Sequence, residues 1–261
     1  MTLDSVLNGV TAAIDGDHIA WNTSLQQIKV YNTQTWQTVL LGSSYNPNSA
    51  QPVSVSNGLV VFARRKTGTG TEIIRRNLVA ATDTSLDSGL WNTQPSVHHG
   101  QVAWAASAAE STNATSNIFF FDGTVVRNIS NTTGRVNRGP ILRDAHVAWL
   151  ERGGPSPRVR FFKGDSAITV AQPSNGSTIV VGYDGSNGVC VAGLVDTLTN
   201  VSRIWVYISE RDSLFSLTDS ARLTSVRIDN GLIVWATRTG IQRTMKTYRI
   251  STATREEYGA A

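Results

Sequence analysis

The chain has 261 residues, of which 40% are hydrophobic and only 16% charged, and this composition excludes a disordered protein. Its net charge of +4 comes from scattered arginines and a small number of acids (19), so the charge alone does not identify an anionic partner. A nucleic-acid interface needs a denser basic surface with exposed aromatic residues, and we expect none. The only cysteine, Cys190, cannot form an intrachain disulfide and lies in an apolar run typical of a buried strand.

One motif recurs along the whole chain. It is a turn followed by a short apolar strand, and in most copies the strand ends in an aromatic residue. We call its last residue the anchor position; the six copies are Trp21, Phe62, Trp104, Trp149, Ala192 and Trp235, which lie 41 to 45 residues apart. A regular period of this length is typical of propellers and solenoids.

Each copy contains short β-branched and aromatic runs separated by turn residues, which predict four strands per repeat. In chain order the predicted strands are 10–14, 17–21, 28–31 and 38–41; 53–55, 58–62 and 72–75; 96–98, 100–104, 118–121 and 125–129; 141–142, 145–149, 159–162 and 167–170; 179–181, 188–192, 204–207 and 214–217; and 226–228, 231–235, 245–250 and 256–258. Residues 78–86 are ambiguous. No segment has a sustained helical period.

Four antiparallel strands repeated six times, with no helix to cover a flat sheet, are best closed as a ring of radial blades. We therefore predict an all-β fold, a six-bladed β-propeller with four antiparallel strands per blade, in which residues 1–261 form a single domain. The anchor tryptophans are expected to pack between blades. We expect closure by packing of the first blade against the sixth, unless residues 1–6 add a strand.

The segments from Pro95 to Asp122 and from Pro140 to Lys163 each contain a proline-led strand, a tight turn, the anchor strand and a further apolar strand. This order resembles the TolB-like propeller repeat, and the resemblance covers essentially the whole chain. It implies the fold and little about activity, because such repeats occur in periplasmic, secreted and enzyme-appended propellers. It favours an extracellular or periplasmic location, while the lack of a signal peptide at residues 1–9 leaves a cytoplasmic location open.

The loops that lead into the first strands and those that join the second and third strands are expected to open on one face, around the central channel. The candidate ligand-binding residues in the first set are Asn48, Gln51, Asn92, Gln94, Asn137, Arg138, Asn175 and Arg222, and those in the second are Arg64, Glu151, Arg152 and Arg238. Amide groups and fixed cations suit a polyhydroxylated or carboxylate-bearing ligand. The alternative is that asparagine serves the turns themselves.

The chain has no Gly-x-Ser-x-Gly elbow, no His-Glu-x-x-His and no phosphate-binding loop. We therefore expect a non-catalytic, lectin-like module that binds a glycan or a partner protein, acts as a monomer, needs no cofactor and does not insert into a membrane. The alternative is a propeller enzyme of the lyase, isomerase or cyclase type with one site at the mouth of the channel. Its site would combine residues of separate blades, such as Glu151 or Glu110 as a base with Arg222 or Arg138 in support.

The histidines do not predict a metal site. His18 and His146 occupy matching positions three residues before a tryptophan, which indicates a role at the start of a strand. His98 and His99 are adjacent, and adjacent residues of a strand point to opposite faces. Their two rings are therefore not expected to bind one metal ion unless the backbone bends between them.

Overall fold

The computed structural model describes residues 12–23, 26–43, 53–87, 89, 91–111 and 113–250. The chain divides into two compact units, Met1–Gly153 and Gly154–Ala261. Within the described residues the protein is all-β, and its only helical element is a 3₁₀ turn at Ser209–Arg211. None of the helices among these residues has the length or apolarity to cross a membrane.

The first unit contains three complete repeats and the first hairpin of the fourth. In each complete repeat four antiparallel strands pair in sequence order, and a parallel pairing of Ser116 with Val136 joins the third repeat to the first hairpin of the fourth. The strands are β1 (Ala12–Asp15), β2 (His18–Asn22), β3 (Gln27–Asn32) and β4 (Gln37–Ser43); β5 (Ser54–Ser56), β6 (Leu59–Arg65), β7 (Thr71–Asn77) and β8 (Thr82–Leu86); β9 (Trp91–His98), β10 (Gln101–Ser107), β11 (Ser116–Phe121) and β12 (Val126–Asn128); and the hairpin β13 (Val136–Arg143) and β14 (His146–Arg152).

The second unit begins with the other hairpin of the fourth repeat and continues through the fifth and sixth. The fifth repeat is again a four-stranded antiparallel sheet, and three strands of the sixth are described. The strands are the hairpin β15 (Arg158–Phe162) and β16 (Ala167–Ala171); β17 (Thr178–Ser186), β18 (Val189–Asp196), β19 (Ser202–Ile208) and β20 (Ser213–Asp219); and β21 (Arg222–Asp229), β22 (Leu232–Thr239) and β23 (Gln242–Arg249).

These elements confirm the all-β class and the repeated antiparallel sheets. The ambiguous segment 78–86 is a turn followed by β8. The number of blades and the closure of the ring stay predictions, because residues 1–6 and 256–258 lie outside the described residues. Cys190 is fully buried, as predicted, and burial together with the nearby Asp184 raises the pKa of its thiol.

Several first strands begin earlier than the sequence predicts, because a bulge allows the strand to continue through its proline. In β9 the pairing with β10 shifts between Ala103 and Ala105, and Gln94 has a φ of 54°. The pairing of β13 with β14 shifts at the matching place, where Gly139 has a φ of 58°. A bulge leaves residues out of the ladder, so a proline costs no hydrogen bond there. Residues 92–94, 137–139 and 222, which the sequence assigned to loops, are therefore strand residues.

Three of the four anchor tryptophans are buried, and the fourth, Trp235, is partly buried against an apolar cluster. Trp104 and Trp149 are fully buried, and Trp21 is 4% exposed. Trp104 belongs to a cluster that includes Leu59, Val61 and Ile73 of the preceding repeat, so it fills the space between two sheets. Truncation of a buried aromatic of this size costs about 3–5 kcal/mol.

Side chains on the first strand of one repeat also accept hydrogen bonds from backbone N–H groups of the next repeat. The donors lie 42 to 46 residues beyond the acceptors. The bonds run from the N–H of Asn57 to Asp15, of Val97 to Ser54, of His99 to Ser56, of Leu142 to Ser96, of Asp144 to His98, of Ile228 to Asp184 and of Asn230 to Ser186, over 2.7 to 3.3 Å. We refer to these contacts as inter-repeat bonds.

Candidate functional site

Two of the predicted ligand-binding asparagines are buried between sheets. Asn92 on β9 and Asn137 on β13 are fully inaccessible to solvent. The indole N–H of Trp104 donates to Oδ1 of Asn92 over 2.9 Å, and that of Trp149 donates to Oδ1 of Asn137 over 2.8 Å. Each asparagine amide also donates to a backbone carbonyl, of Thr71 or Ser116, over 2.6 Å. We call each pair an Asn–Trp latch; both amides are already engaged by the protein.

A hydroxyl group of the preceding repeat completes each latch. Thr71 Oγ1 accepts from the N–H of Asn92 over 2.6 Å and donates to its carbonyl over 2.7 Å. Ser116 bonds to Asn137 in the same way, over 2.9 and 2.8 Å. In both cases hydroxyl and asparagine are 21 residues apart, and the hydroxyl residue opens the third strand of its repeat. We call this contact the hydroxyl clasp.

The sixth repeat keeps the clasp and changes the latch. Ser202 Oγ accepts from the N–H of Leu223, again 21 residues on, over 2.8 Å. Leu223 replaces the asparagine, and the N–H of Trp235 donates instead to Oδ2 of Asp219 over 3.0 Å. Lys246 pairs with the same carboxylate over 2.8 Å. Burial raises the pKa of Asp219, but Lys246, Trp235 and the N–H of Ala221 outweigh it, so the pKa is below its usual value.

The fifth repeat has neither latch nor clasp at this place. Val180 lies opposite Leu194, where the latched repeats have asparagine, and the anchor position is Ala192. On the other face of the fifth sheet, Leu223 of the sixth repeat packs against Gly193: a Cβ atom added to Gly193 would lie 2.2 Å from its Cδ2. The fifth and sixth sheets thus meet through this apolar contact as well as through the clasp of Ser202.

Three of the predicted residues lie together at one edge of the first unit. Oε1 of Gln94 accepts from the N–H of Gly139 over 2.8 Å, and an Nη atom of Arg138 donates to Asn113 over 3.3 Å. Burial, and next the charge of Arg152, lower the pKa of Arg138. Two arginines therefore share this edge, and neither Gln94 nor Arg138 is fully exposed.

The other predicted residues of the first unit are less available to bind a ligand. Arg64 forms an ion pair with Glu72 over 3.0 Å, with Asp83 at 3.8 Å. Glu151 lies on β14 and is 2% exposed. Asn48 and Gln51 lie outside the described residues.

The second unit brings two predicted arginines into one pocket. Arg222 on β21 lies directly opposite Arg238 on β22, so both side chains are on the same face of the sheet. Both are exposed, and the pocket that they line has a volume of about 700 Å³. The other lining residues are Thr199, Asn200, Ser220, Ala221, Thr224, Thr239 and Gly240, none of which is acidic. Within the described part of the chain, neither arginine forms an ion pair, and Arg238 donates only to the carbonyl of Gly240, over 2.6 Å.

A second pocket of the same unit contains the remaining predicted residue, Asn175. Its volume is about 390 Å³, and it shares Thr199 with the first pocket. Arg203 and the partly buried Trp205 line it, and the indole nitrogen of Trp205 has no hydrogen-bond partner among the described residues. Oδ1 of Asn175 accepts from the N–H and the hydroxyl of Thr178 over 2.9 and 2.6 Å, which fixes the loop.

The pockets offer donors and positive charge rather than groups for proton transfer. The only acidic residue lining either pocket is Asp196. The backbone N–H groups of Leu198 and then Thr199 lower the pKa of Asp196, so its carboxylate stays ionised at neutral pH. A general acid needs the opposite shift. The geometry suits anion and hydroxyl recognition.

Sequence reasoning missed the hydroxyl residues and the aromatic residue of these pockets. Thr199, Ser220 and Thr224 belong to a chain rich in such residues, and nothing in their spacing distinguishes them. Trp205 lies in a predicted strand, and the sequence pattern indicated no role for it in binding. The repeat alignment held one usable signal, because Arg65, Arg152 and Arg238 all lie three residues after an anchor position.

The prediction that His98 and His99 point to opposite faces is wrong. β9 ends at His98, and His99 has a φ of 46°, which turns the backbone between the two residues. Their ring centroids are only 4.0 Å apart.

Comparison with known proteins supports the fold and does not supply a family. No protein-family model matches the chain, and no curated protein is significantly similar to it. Solved structures do share its fold: a prolyl endopeptidase (TM-score 0.64, 11% identity, 94% of this chain and 41% of that chain), an oligogalacturonate lyase in complex with manganese (0.54, 10%, 94% and 77%) and TolB from Acinetobacter baumannii (0.50, 14%, 80% and 54%). These are propeller proteins, and at such identities the likeness supports a β-propeller fold alone. Membership of the TolB-like repeat family stays a prediction.

The chain spans 41% of the endopeptidase chain and 54% of the TolB chain. Their activities therefore belong to proteins of which this chain matches only a part.

Proposed function

We propose that this chain is a non-catalytic binding module whose pocket at Arg222 and Arg238 takes a carboxylate-bearing, polyhydroxylated ligand, such as an acidic oligosaccharide. The observation that carries the proposal is the pairing of two exposed arginines, directly opposite one another, in a pocket without an acidic residue. Guanidinium groups bind carboxylates through two parallel hydrogen bonds. Threonine and serine hydroxyls around them match sugar hydroxyls.

The two adjoining pockets favour an extended ligand over a small ion. They share Thr199, and their volumes of about 700 and 390 Å³ fall within the usual range of ligand sites. Trp205 and Arg203 in the second pocket add an aromatic surface and a further cation. A chain of sugar units would thus be held by its carboxylate in the first pocket and by stacking in the second.

A propeller enzyme of the lyase, isomerase or cyclase type stays the alternative. The lining of the two pockets speaks for binding, because Asp196 is held ionised by its hydrogen bonds and no other acid or histidine lines them. A partner-protein ligand with an acidic loop would use the same arginines. An extracellular or periplasmic location and a monomeric state belong to the same proposal.

Calorimetry with an oligosaccharide of uronic acid units, and with its carboxyl-reduced neutral form, tests the proposal. We expect binding of the acidic form only, and a Kd raised about tenfold or more in Arg222→Ala and in Arg238→Ala, as for the loss of a charge-assisted hydrogen bond. The matched control is Arg227→Ala, which removes an exposed arginine of the same strand that does not line the pocket. Equal binding of both sugars, or equal losses in all three variants, would refute a carboxylate site.

Chromatography of the acidic oligosaccharide after prolonged incubation separates binding from catalysis. The binding proposal expects the oligosaccharide unchanged. New products that disappear in Arg222→Ala would favour the enzyme alternative.

A further inference from the structure

Three potential metal-binding side chains meet at two neighbouring turns of the first unit. His98 and His99 lie at the turn between β9 and β10, and Asp144 lies at the turn between β13 and β14. One ligand atom from each residue lies within 4.8 Å of the other two. Nδ1 of His98 is 3.6 Å from Oδ1 of Asp144. The cluster is therefore assembled from two repeats, and the unfolded chain does not contain it.

Left-handed backbone at both turns produces this convergence. His99 has a φ of 46°, and Asp144 has a φ of 49°. A regular strand would place successive imidazoles on opposite faces. The turn instead brings the two rings together, with a centroid distance of 4.0 Å, and leaves His99 exposed. A metal ion can thus approach from solvent.

We infer that His98, His99 and Asp144 form a binding site for a divalent transition-metal ion such as Zn²⁺. Two imidazole nitrogens and one carboxylate oxygen are ligands that Zn²⁺ and other first-row ions accept, and three protein ligands leave at least one position for water. The separations of the ligand atoms exceed those of a filled site, so the side chains close around the ion by rotation. The exposure of His99 to solvent leaves space for this rotation.

His98 also has a structural role, and binding must compete with it. Its Nδ1 accepts the inter-repeat bond from the N–H of Asp144 over 3.0 Å. At the same place in other repeats a simple acceptor suffices, such as Ser56 or Ser186. The inter-repeat bond therefore does not require an imidazole at residue 98, and the imidazole of His99 takes no part in it.

Replacement of His98 by asparagine separates the two roles. Oδ1 of asparagine can accept the N–H of Asp144 much as Nδ1 does, but the amide is a poor ligand for Zn²⁺. The test uses tag-free protein with Co²⁺, whose visible absorption reports bound nitrogen and oxygen ligands, and with Zn²⁺ in calorimetry. The variants are His98→Asn, His99→Ala and Asp144→Asn. The matched control is His18→Ala, which removes a histidine at the start of β2, in another repeat.

We expect one Zn²⁺ per chain for the parent and for His18→Ala, and at least a tenfold weaker Kd for the other three variants. Because only the folded chain holds the site, free Zn²⁺ at about 100 times Kd should raise the melting temperature by roughly 5–10 °C. His98→Asn should melt near the parent without metal and lose this rise. Absence of binding by the parent, or equal binding by His99→Ala, would overturn the inference.

Discussion

The junction between two repeats is built in two ways in this protein. At the third and fourth repeats an asparagine, a tryptophan and a hydroxyl group close it with buried hydrogen bonds. At the fifth repeat these positions hold Val180 and Ala192, and one pocket, lined by the Leu194 that lies opposite Val180, opens beside them. Buried polar groups must be satisfied, so a latched junction has no group left for a ligand. The unlatched junction keeps its polar groups at the surface, where a ligand can use them.

Removal of a latch should have the largest effect. Asn137→Ala leaves the N–H of Trp149 buried without an acceptor and opens a small cavity. We expect the free energy of unfolding to fall by about 2–4 kcal/mol. Urea denaturation measures this loss, with Asn113→Ala, an exposed asparagine, as the control that should stay within about 0.5 kcal/mol of the parent. A loss no larger than that of the control would mean that the latch is not required.

An apolar change should be nearly as costly at the junction of the fifth and sixth repeats, where Leu223 replaces the asparagine of the latch. Gly193→Ala places a methyl group 2.2 Å from Cδ2 of Leu223, and this overpacking should cost about 1–3 kcal/mol. Gly176→Ala is the matched control, because no atom lies within 4 Å of its added Cβ. Thermal denaturation of both variants, compared with the parent, tests whether close packing replaces the latch. Equal melting temperatures would contradict it.

The hydroxyl clasp should contribute similarly with and without a latch. Ser116→Ala and Ser202→Ala each leave one backbone N–H and one backbone carbonyl without the hydroxyl partner. We expect a loss of about 1–2 kcal/mol in each. Hydrogen exchange at the N–H groups of Asn137 and Leu223 gives a local readout. If only Ser116→Ala is destabilised, the clasp depends on the asparagine, and the comparison of the two junctions becomes sharper.

The smallest effect concerns Asp219 and depends on pH. The folded pKa of Asp219 is below its usual value, so the carboxylate stabilises the protein above the unfolded pKa of about 4 and loses this contribution as the pH falls through the folded pKa. Asp219→Asn should therefore lower the free energy of unfolding by about 1 kcal/mol at pH 7 and by less below pH of about 4. Asp229→Asn, an exposed acid of the same repeat, controls for net charge. A difference that stays constant with pH would contradict the assignment.

The repeat could be predicted because its signals are local. The spacing of Trp21, Trp104, Trp149 and Trp235, and the short apolar runs around them, defined the strands and the packing between sheets. The buried role of Asn92 and Asn137 could not be predicted, because asparagine is equally typical of turns, and the bulges that draw these residues into the strands depend on neighbouring sheets. The 21-residue spacing from Thr71 to Asn92 was present in the sequence, but it has meaning only once the strand order is known.

The candidate site, like the fold, could be predicted from the sequence only in part. Arg222 and Arg238 were predicted, since charged loop residues on a repeated frame are conspicuous. The pocket around them was not, because the hydroxyls that line it resemble many others in the chain. The turn at His99 needs a positive φ, and the alternation of residues between the two faces of a strand cannot indicate such a turn.

The inter-repeat bonds all run in one direction, from an acceptor side chain to the backbone of the following repeat. A substitution such as Ser54→Ala therefore removes a partner from Val97 and leaves the backbone of its own repeat intact. Its effect should be displaced along the chain by one period. An experiment that exchanges, duplicates or recombines repeats of this protein would therefore have to match the acceptor side chains of each repeat to the backbone of the repeat that follows. The best recombination point would lie after the segment that donates to the acceptor strand, rather than at the boundary of a sheet.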